Sequence, residues 1–458
     1  MRIGTLLHKA IAVAMAALVV MLGPMAAMAQ DGGGLPLIRD AEIEGLMRLY
    51  TRPIFKAAGI NPAAVRVYLI NDSHINAFVA GGQRIFINTG LIMQATTPNM
   101  VIGVLAHETG HIAGGHLARM GVEVDKACVT MIVGMLLGLA AMAGGALTGN
   151  SEAARAGSGI AIGSQGLAQR NFLAYARGME SNADQAALRF LNATGQSAKG
   201  MITLFDKLAH ESIASLHDAD PYVFSHPMPL ERIRNLEDMA KKSAYYNAVD
   251  PPELVLRHQL VQAKLLGYIN GPQAVMQRYP ASDQSLPARY ARAIAMFRRG
   301  DIANALPIID SLIRDLPQDP YFWELKGQAL LENGRAAEAI APVRQALKLL
   351  PNSGLIQILM AQALLDIENK ANAQEAISML RQAQKTEDDS PILFRYMAQA
   401  YGLSGDAARA ELATAEGALL QGDKKLAIRK AKSAQARFKI GTPEWTRASD
   451  VLTLASRE

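Results

Sequence analysis

The chain has 458 residues, half of them hydrophobic, with 46 basic and 41 acidic residues and a formal net charge of +5. This length predicts two or more domains, and the apolar content is sufficient for a sizeable core. The net charge falls by two when Arg2 and Lys9 are counted with a signal segment. So small a charge does not indicate a nucleic-acid partner, and the sequence contains no nucleic-acid-binding motif.

Residues 1–29 predict a cleavable secretory signal. Arg2 and Lys9 form a basic start, residues 10–22 an apolar centre, and Ala27-Met28-Ala29 a small-residue cleavage site. An uncleaved membrane anchor is the alternative, and the small residues favour cleavage. Cys128 is the only cysteine, so no intrachain disulfide can form. Export without disulfides fits a bacterial periplasm.

A helix and two strands are predicted before the central motif. Residues 40–59 carry an apolar stripe at helical spacing, and residues 65–70 read as a strand. A second strand, residues 84–88, follows the turn-forming Gly81-Gly82. We expect this strand to offer a free edge that pairs with an extended substrate peptide. The residues of that edge are Arg84, Ile85, Phe86 and Ile87. A strand that only covers the next helix is the alternative.

The apolar segment from Met100 to Ala113 contains the sequence His107-Glu108-Thr109-Gly110-His111. Thr97 is expected to cap this segment as a helix, and Pro98 suits the first helical position. On a helix, the two histidines project from one face at a spacing that lets both bind one tetrahedral metal ion. Glu108 is then placed to take a proton from the attacking water without binding the metal. Polar side chains in an apolar helix need partners, and a metal ion supplies one.

A third metal ligand must come from elsewhere in the chain. The position six residues after the second histidine is Leu117, which excludes a histidine ligand there, and His116 is expected beside the site or at the surface. Residues 177–187 have a helical pattern with Glu180 and Asp184 on one face. Glu180 is therefore the candidate third ligand, and Asp184 the candidate partner that orients a ligating histidine. Two carboxylates on a solvated helix face are the alternative.

These motifs resemble the zinc endopeptidase family of the CAAX prenyl protease and the HtpX heat-shock protease. Residues 76–91 and 225–233 resemble the segments that precede and follow the metal motifs in that family. The resemblance implies a zincin-type fold and hydrolysis of peptide bonds, with one Zn²⁺ ion per chain. The implied ligands are His107, His111 and Glu180, with Glu108 as the general base.

The same resemblance gives His226 one of two roles. It either stabilises the oxyanion of the tetrahedral intermediate, or occupies the fourth metal position and keeps the enzyme latent. An ordinary turn residue is the alternative. Arg232 would position this segment or hold charge near the site. The second metal motif of the family usually reads E-x-E-A-D, and Asn182 replaces its second acid here.

Residues 128–147 form an apolar run that is long enough to cross a bilayer. A single crossing would separate His107 and His111 from Glu180, and the next apolar segment, residues 156–168, is too short to return. We therefore expect an insertion at about 127–168 that covers the cleft, touches a membrane surface, or does both. A true membrane span is the less favoured alternative.

After residue 250 the sequence changes to Ala- and Leu-rich helix pairs. Gly300 and Gly334 are one period apart, as are Pro317 and Pro351, and this spacing is that of tetratricopeptide repeats. The clearest unit is marked by Trp323, Gly327, Ala339, Ala346 and Pro351. Such helix pairs stack into a curved surface that binds peptides or partner proteins. A purely structural cap is the alternative.

The sequence thus predicts an α+β, mostly helical chain in three parts: a signal peptide at 1–29, a zinc metallopeptidase domain with a small β-sheet at 30–250, and an all-α repeat solenoid at 251–458. This arrangement resembles periplasmic peptidases that act in quality control of outer-membrane β-barrel proteins. The resemblance implies cleavage of unfolded, misassembled or stalled barrel precursors, with the repeats recruiting substrate or the barrel assembly machinery. An assembly chaperone or scaffold with a latent peptidase domain is the alternative.

Overall fold

The computed structural model describes most of the chain from residue 35 to residue 456. The residues outside the description within this span are 121–125, 127–128, 130, 134, 139–140, 143–150, 215–221, 223–225, 227–228 and 368. The predicted signal peptide at 1–29 and parts of the apolar run at 128–147 therefore lie outside the described residues. None of the described helices is both long and apolar enough to span a membrane.

The described strands are β1 (Leu37–Ile38), β2 (Arg66–Ile70), β3 (Ala77–Ala80) and β4 (Arg84–Asn88). The helices before residue 250 are α1 (Ala41–Ala57), α2 (Thr89–Gln94), α3 (Pro98–Ala113), α4 (Ser151–Ala193), α5 (Lys199–Ala214) and α6 (Leu230–Ala240). The later helices are α7 (Pro252–Ile269), α8 (Pro272–Arg278), α9 (Leu286–Phe297), α10 (Ile302–Asp315), α11 (Pro320–Glu332), α12 (Ala336–Leu349), α13 (Gly354–Leu365), α14 (Lys370–Ala383), α15 (Pro391–Ser404), α16 (Ala407–Leu420), α17 (Lys424–Gln435) and α18 (Pro443–Ala455).

The four strands form one sheet in the order β1-β2-β4-β3. β2 and β4 run parallel, whereas β1 and β3 are antiparallel to their neighbours. Because β4 is hydrogen-bonded on both sides, the prediction of a free edge is wrong. The strand residues concerned are Arg84, Ile85, Phe86 and Ile87. The edge beyond β4 is instead β3, which the sequence pattern did not indicate and which packs against α3.

Two helices form the core on the inner side of the sheet. In α1, Asp40 caps the first turn through its carboxylate, and the predicted apolar stripe is buried. In α3, every residue from Pro98 to Gly110 is buried, because the sheet side, α1, α4 and α5 all contact this helix. Pro98 occupies the first turn as predicted, but the side chain of Thr97 accepts no capping hydrogen bond. The His107–His111 motif therefore lies on a helix that is buried along most of its length.

The end of the predicted insertion, at about residue 168, lies within a helix and not at a helix boundary. Residues 151–193 form the single helix α4, so the apolar segment 156–168 continues directly into the turns that carry Glu180 and Asp184. Helical hydrogen bonding is local and tolerates Gly and Ser at the exposed positions of this segment. The insertion thus joins one side of the candidate site through a continuous helix.

Helices α7 to α18 stack as antiparallel pairs, which confirms the predicted repeat architecture. Gly300 and Gly334 both have positive φ, at 80° and 74°, and follow α9 and α11, the equivalent helices of adjacent repeats. At Gly327, a Cβ atom would lie 2.2 Å from Cγ2 of Val343, so glycine is required for the close packing of α11 on α12. The predicted period therefore corresponds to one helix pair.

Among the described residues, the repeats contact the N-terminal part of the chain through α7, through the loop between α14 and α15, and through Tyr290 and Tyr321, which contact the start of α1. The first is α7, which is shared: Val261 and Leu265 belong to the core around α3, whereas Leu260 and Ala263 belong to the repeat core. Lys264, on the same helix, lies 2.7 Å from a carboxylate oxygen of Asp40 at the start of α1. The helix that follows the predicted boundary at residue 250 thus packs in both units.

The second contact is the loop between α14 and α15. Asp388 and Asp389 form ion pairs with Arg66 on β2, and Tyr68 donates a hydrogen bond to Asp389. Glu387 pairs with Arg39 just before α1. The repeat solenoid therefore folds back and holds the outer side of the sheet.

Candidate metal centre

The centre forms where α3 crosses α4 at close range. A Cβ atom at Gly110 would lie 2.8 Å from the carbonyl oxygen of Ala183, so only glycine allows this approach. His107 and His111 flank Gly110 on α3, and Glu180 precedes Ala183 by almost one turn of α4. The small residues at the crossing bring these three side chains within reach of each other.

Three of the predicted metal-site side chains converge at this crossing. The Nε2 atoms of His107 and His111 are 3.1 Å apart. Oε2 of Glu180 lies 3.3 Å from Nε2 of His107, and Oε1 lies 3.4 Å from Nε2 of His111. All three are buried or nearly so, with His107 fully buried. The geometry gives one imidazole nitrogen from each ring and one carboxylate, all directed at a common point.

His226 lies in the same cluster. Its Nδ1 is 3.4 Å from Nε2 of His107 and 3.1 Å from both carboxylate oxygens of Glu180. One ligand atom from each of the four side chains lies within 4.8 Å of the others. The structure therefore assembles three histidines and one glutamate, a donor set that could hold a divalent transition metal.

Glu108 faces the cluster from one side and is almost fully buried. Its Oε1 is 3.5 Å from Nε2 of His226 and accepts a 3.4 Å hydrogen bond from the hydroxyl of Tyr222. Burial raises the pKa of Glu108 to about 7, although the nearby histidines oppose this shift. A carboxyl group with such a pKa can both accept and return a proton near neutral pH.

Tyr222 is a residue of the site that the sequence did not reveal. Its side chain is fully buried, and its ring stacks on that of His226 with the centroids 4.5 Å apart. A single tyrosine between helices has no spacing relation to the metal motifs, so no sequence signal could have identified it. Only the fold places this hydroxyl against Glu108.

Asp184 and Arg232 form a charged layer behind His107. Oδ1 of Asp184 is 3.0 Å from Nδ1 of His107, and Arg232 makes two hydrogen bonds to Asp184, at 2.6 and 2.8 Å. Arg232 also lies 3.0 Å from Glu180. Burial opposes ionisation of Asp184, but Arg232 and His107 hold the pKa of its carboxyl below the usual range. An ionised Asp184 fixes Nδ1 of His107 as the protonated nitrogen and leaves Nε2 free to bind a metal.

His116 lies on the other side of His111. It is buried, and its Nδ1 is 3.0 Å from Nδ1 of His111. A Cβ atom at Gly114 would fall 2.3 Å from the His116 ring, so the glycine leaves room for this contact. His116 is thus placed beside the site, one of the two positions expected from the sequence.

The protonation states of the cluster suit metal binding. Burial lowers the pKa values of both His111 and His226, which favours neutral rings with free lone pairs. Burial would raise the pKa of Glu180, but the surrounding imidazoles keep it well below the usual range. For His107, burial lowers the pKa, yet the contacts with Asp184 and Glu180 raise it to about 9. Any bound cation has to replace that proton.

Comparisons with known proteins identify the family of the region that contains this centre. Residues 41–240 match the model of peptidase family M48, and residues 290–354 match a tetratricopeptide repeat model. The metalloprotease LoiP of Escherichia coli is 30% identical over 208 residues, which cover 44% of this chain and 73% of that protein. The beta-barrel assembly-enhancing protease of Yersinia pestis is 23% identical over 423 residues, covering 90% of this chain and 83% of that protein.

One solved structure, MamA MSR-1 C2, aligns with 36% of this chain at 16% identity and a TM-score of 0.31.

The two family matches confirm the prediction of a metallopeptidase region followed by tetratricopeptide repeats. The geometry of the centre and the match over residues 41–240 lead to one conclusion. The chain is a metallopeptidase that belongs to peptidase family M48.

Proposed function

We propose that the chain is a zinc-dependent endopeptidase that acts on unfolded or misassembled outer-membrane proteins during their assembly. The observation that carries the proposal is the convergence of His107, His111 and Glu180 on one point, with Glu108 directed at it. Histidine nitrogen and carboxylate oxygen are the usual ligands of catalytic zinc. The assembly role is supported by similarity to the beta-barrel assembly-enhancing protease along most of the chain.

In the proposed reaction, His107, His111 and Glu180 hold the ion and Glu108 moves the proton. Zinc in this position would supply a Lewis acid that polarises the scissile carbonyl and lowers the pKa of water. Glu108 accepts the proton of the attacking water and later donates a proton to the leaving amine. The hydroxyl of Tyr222, which donates to Oε1 of Glu108, orients this carboxylate. Asp184 and Arg232 keep His107 in the orientation required for binding.

Substrate is proposed to bind at β3 rather than at β4. Of the two edge strands among the described residues, β3 is the one that packs against α3, which carries both histidines. A peptide that pairs with this edge would extend the sheet beside the metal-binding helix. The strand from Arg84 to Ile87 cannot pair with a substrate in this way, because β2 and β3 already occupy both of its sides.

Replacing Glu108 by Gln tests the activity. We expect peptide hydrolysis to fall at least about 10²- to 10⁴-fold, while zinc content stays at one per chain because the substitution leaves all the metal ligands intact. The measurement combines cleavage of an unfolded barrel protein with metal analysis of the purified chain. Wild-type protein without stoichiometric zinc, or cleavage unaffected by the substitution, would reject the proposal. In cells, the same variant would trap natural substrates.

We also propose that His226 is a fourth metal ligand that keeps the enzyme inactive in the conformation seen in the structure. Its Nδ1 contacts both Glu180 oxygens and approaches His107, which places it where water or substrate would bind. Replacing His226 by Ala is then expected to raise peptide hydrolysis. A fall in turnover with unchanged zinc content would instead assign His226 to oxyanion stabilisation. Latency is the feature that favours the second candidate function, an assembly scaffold with restrained proteolysis.

The sequence and the comparisons support a proposal for the location and the partners of the chain. We propose a periplasmic protein, exported by the signal at 1–29, whose repeats recruit substrate or the barrel assembly machinery. Peripheral membrane contact is supported by exposed aliphatic side chains at helical spacing in the insertion. These are Val129, Ile132, Val133, Leu136 and Leu137. Fractionation of cells that express the tagged chain tests the location.

A further inference from the structure

The outer face of the sheet carries three aromatic rings in one row. Tyr68, Phe86 and Phe78 are direct cross-strand partners on β2, β4 and β3. The centroids of Tyr68 and Phe86 are 5.3 Å apart, and those of Phe86 and Phe78 are 5.1 Å apart, with the planes of each pair nearly parallel. The alternating residues Ile85 and Ile87 point into the core beneath. The row is therefore a half-buried apolar strip outside the core.

The two ends of this aromatic row have different surroundings. At one end, the hydroxyl of Tyr68 donates a 2.9 Å hydrogen bond to Asp389 in the repeat loop. At the other end, Phe78 lies on the edge strand, with the ring of Phe86 on one side and no further ring beside it among the described residues. Because β3 packs against α3, the open end of the row lies on the side of the sheet edge that leads to the metal centre.

We infer that Phe78 is a specificity-determining residue, which favours an aromatic or large aliphatic side chain at the substrate residue paired with it. This inference rests on the proposed endopeptidase function. In an antiparallel pair, directly opposite residues point to the same face of a sheet. A peptide antiparallel to β3 therefore places one side chain next to Phe78 on the outer face. That side chain becomes the fourth member of the row.

The preference has a physical origin in ring stacking and burial. Paired aromatic side chains on neighbouring strands attract each other beyond their burial of apolar surface, and a polar residue at the same place leaves the face of Phe78 in water. Rows of this kind also stabilise a sheet by internal packing alone. Stabilisation of the sheet does not depend on the substrate. Substrate selection does, because it depends on the identity of the substrate residue that lies opposite Phe78.

A matched set of peptides tests the inference. The peptides share one sequence, and each carries either Phe or Ser at a single position that is scanned along the chain. With zinc-loaded wild type, we expect one position at which kcat/KM is clearly higher for Phe than for Ser. In Phe78→Ala, this Phe-to-Ser ratio is expected to fall about three- to tenfold, mainly through KM. Both peptides are assayed with the same enzyme preparation. A latency imposed by His226 lowers kcat/KM equally for the two peptides and therefore does not change the Phe-to-Ser ratio.

Two further variants control for folding and bulk. Phe78→Tyr keeps the ring and is expected to keep the ratio. Val79→Ala removes apolar bulk from the same strand on the opposite, inward face, and is expected to leave the ratio unchanged. If Phe78→Ala does not fold, Phe78→Leu gives the same comparison with a smaller expected fall.

The outcomes separate this inference from the proposed function. Cleavage that shows the same Phe-to-Ser ratio in wild type and in Phe78→Ala would overturn the role of Phe78 and leave the endopeptidase intact. A ratio that falls equally in Val79→Ala would also overturn it, because the effect would then come from strand stability. Failure of both wild type and His226→Ala to cleave any of the peptides would overturn the proposed function together with the inference.

Discussion

The structure contains two buried clusters of charged side chains that are built differently. At the junction between α1 and the repeats, Nζ of Lys264 lies 2.7 Å from Asp40 and 3.2 Å from Glu42, and Tyr290 donates a hydrogen bond to Glu42. At the metal centre, Arg232 pairs with Asp184 behind His107, and the imidazole rings of three histidines surround the common point. The junction thus contains its own central cation, whereas the centre presents converging lone pairs.

This difference separates a cluster that holds the fold together from one that can bind an ion. A lysine fixed by two carboxylates satisfies the buried charges permanently, and its loss would leave them uncompensated. Imidazoles around an ionised glutamate form a site whose cation, a proton or a metal ion, can exchange. The comparison therefore assigns stability to the junction and chemistry to the centre, and each assignment can be tested by a substitution.

The largest expected effect is that of Glu180→Gln. An amide is a poor zinc ligand, so we expect zinc content to fall well below one per chain. Peptide hydrolysis is expected to fall by more than about 100-fold, because even the loss of a residue that only orients a metal ligand can reduce activity by up to about 100-fold. Metal analysis and a peptide assay measure both quantities. The control is Gln185→Ala on the exposed face of the same helix, which should change neither. Normal zinc content in Glu180→Gln would remove this residue from the ligand set.

Lys264→Met addresses the junction. It leaves Asp40 and Glu42 without their cation, and we expect the free energy of unfolding to fall by about 3 kcal/mol, with zinc content unchanged. Denaturant unfolding followed by circular dichroism measures the loss. Lys326→Met is the control, because the Lys326–Asp310 pair is solvent-accessible and contributes at most about 1 kcal/mol. A loss of zinc in Lys264→Met would show that the two clusters are coupled and would break the comparison.

Asp184→Asn weakens the centre without removing a ligand. The amide keeps the shape of the side chain but no longer holds a negative charge against Nδ1 of His107 and against Arg232. We expect zinc affinity to fall about 10- to 100-fold, as measured by competition with a chelator. The unfolding midpoint of the zinc-saturated protein should shift little. Unchanged affinity would show that Asp184 does not orient His107.

The smallest expected effect is a pH dependence of the junction. Glu324, on α11, is also buried at this junction and interacts electrostatically with Lys264 and Glu42. Burial raises the pKa of Glu42 to about 7 and that of Glu324 to about 8. The folded chain then keeps protons that the unfolded chain releases above its usual glutamate pKa, so stability falls as pH rises from 5 to 8. The unfolding free energy is expected to fall by about 1 kcal/mol for each pH unit in this range. Glu324→Gln should flatten this profile, and a profile as steep as that of wild type would contradict the assignment.

The sequence predicted those parts of the site that depend on local periodicity. His107, Glu108 and His111 share one helix, and Glu180 with Asp184 share another, so helical spacing alone grouped them correctly. The crossing that joins the two groups depends on Gly110 and Ala183, which have no distinctive spacing. The architecture of the repeats was also predictable, because its period is repeated along the chain.

The features that the sequence did not predict have two different causes. β3 has only four residues, too few for a strand pattern to stand out, so its pairing with β4 across the turn at Gly81-Gly82 was missed and β4 looked like an edge strand. Lys264 has no local feature that distinguishes it from a surface lysine. Its partner Asp40, at the start of α1, lies more than 200 residues earlier in the chain.

The packing of α1 has a consequence for how the protein matures. Arg39 pairs with Glu387, and Tyr290 donates to Glu42 across 248 positions of sequence. As a nascent chain lengthens from its N-terminus, α1 remains without these partners until most of the repeats have been made. Such distant contacts slow the search for the folded state. The start of α1 therefore reaches its full set of contacts only when the repeats beside it are present.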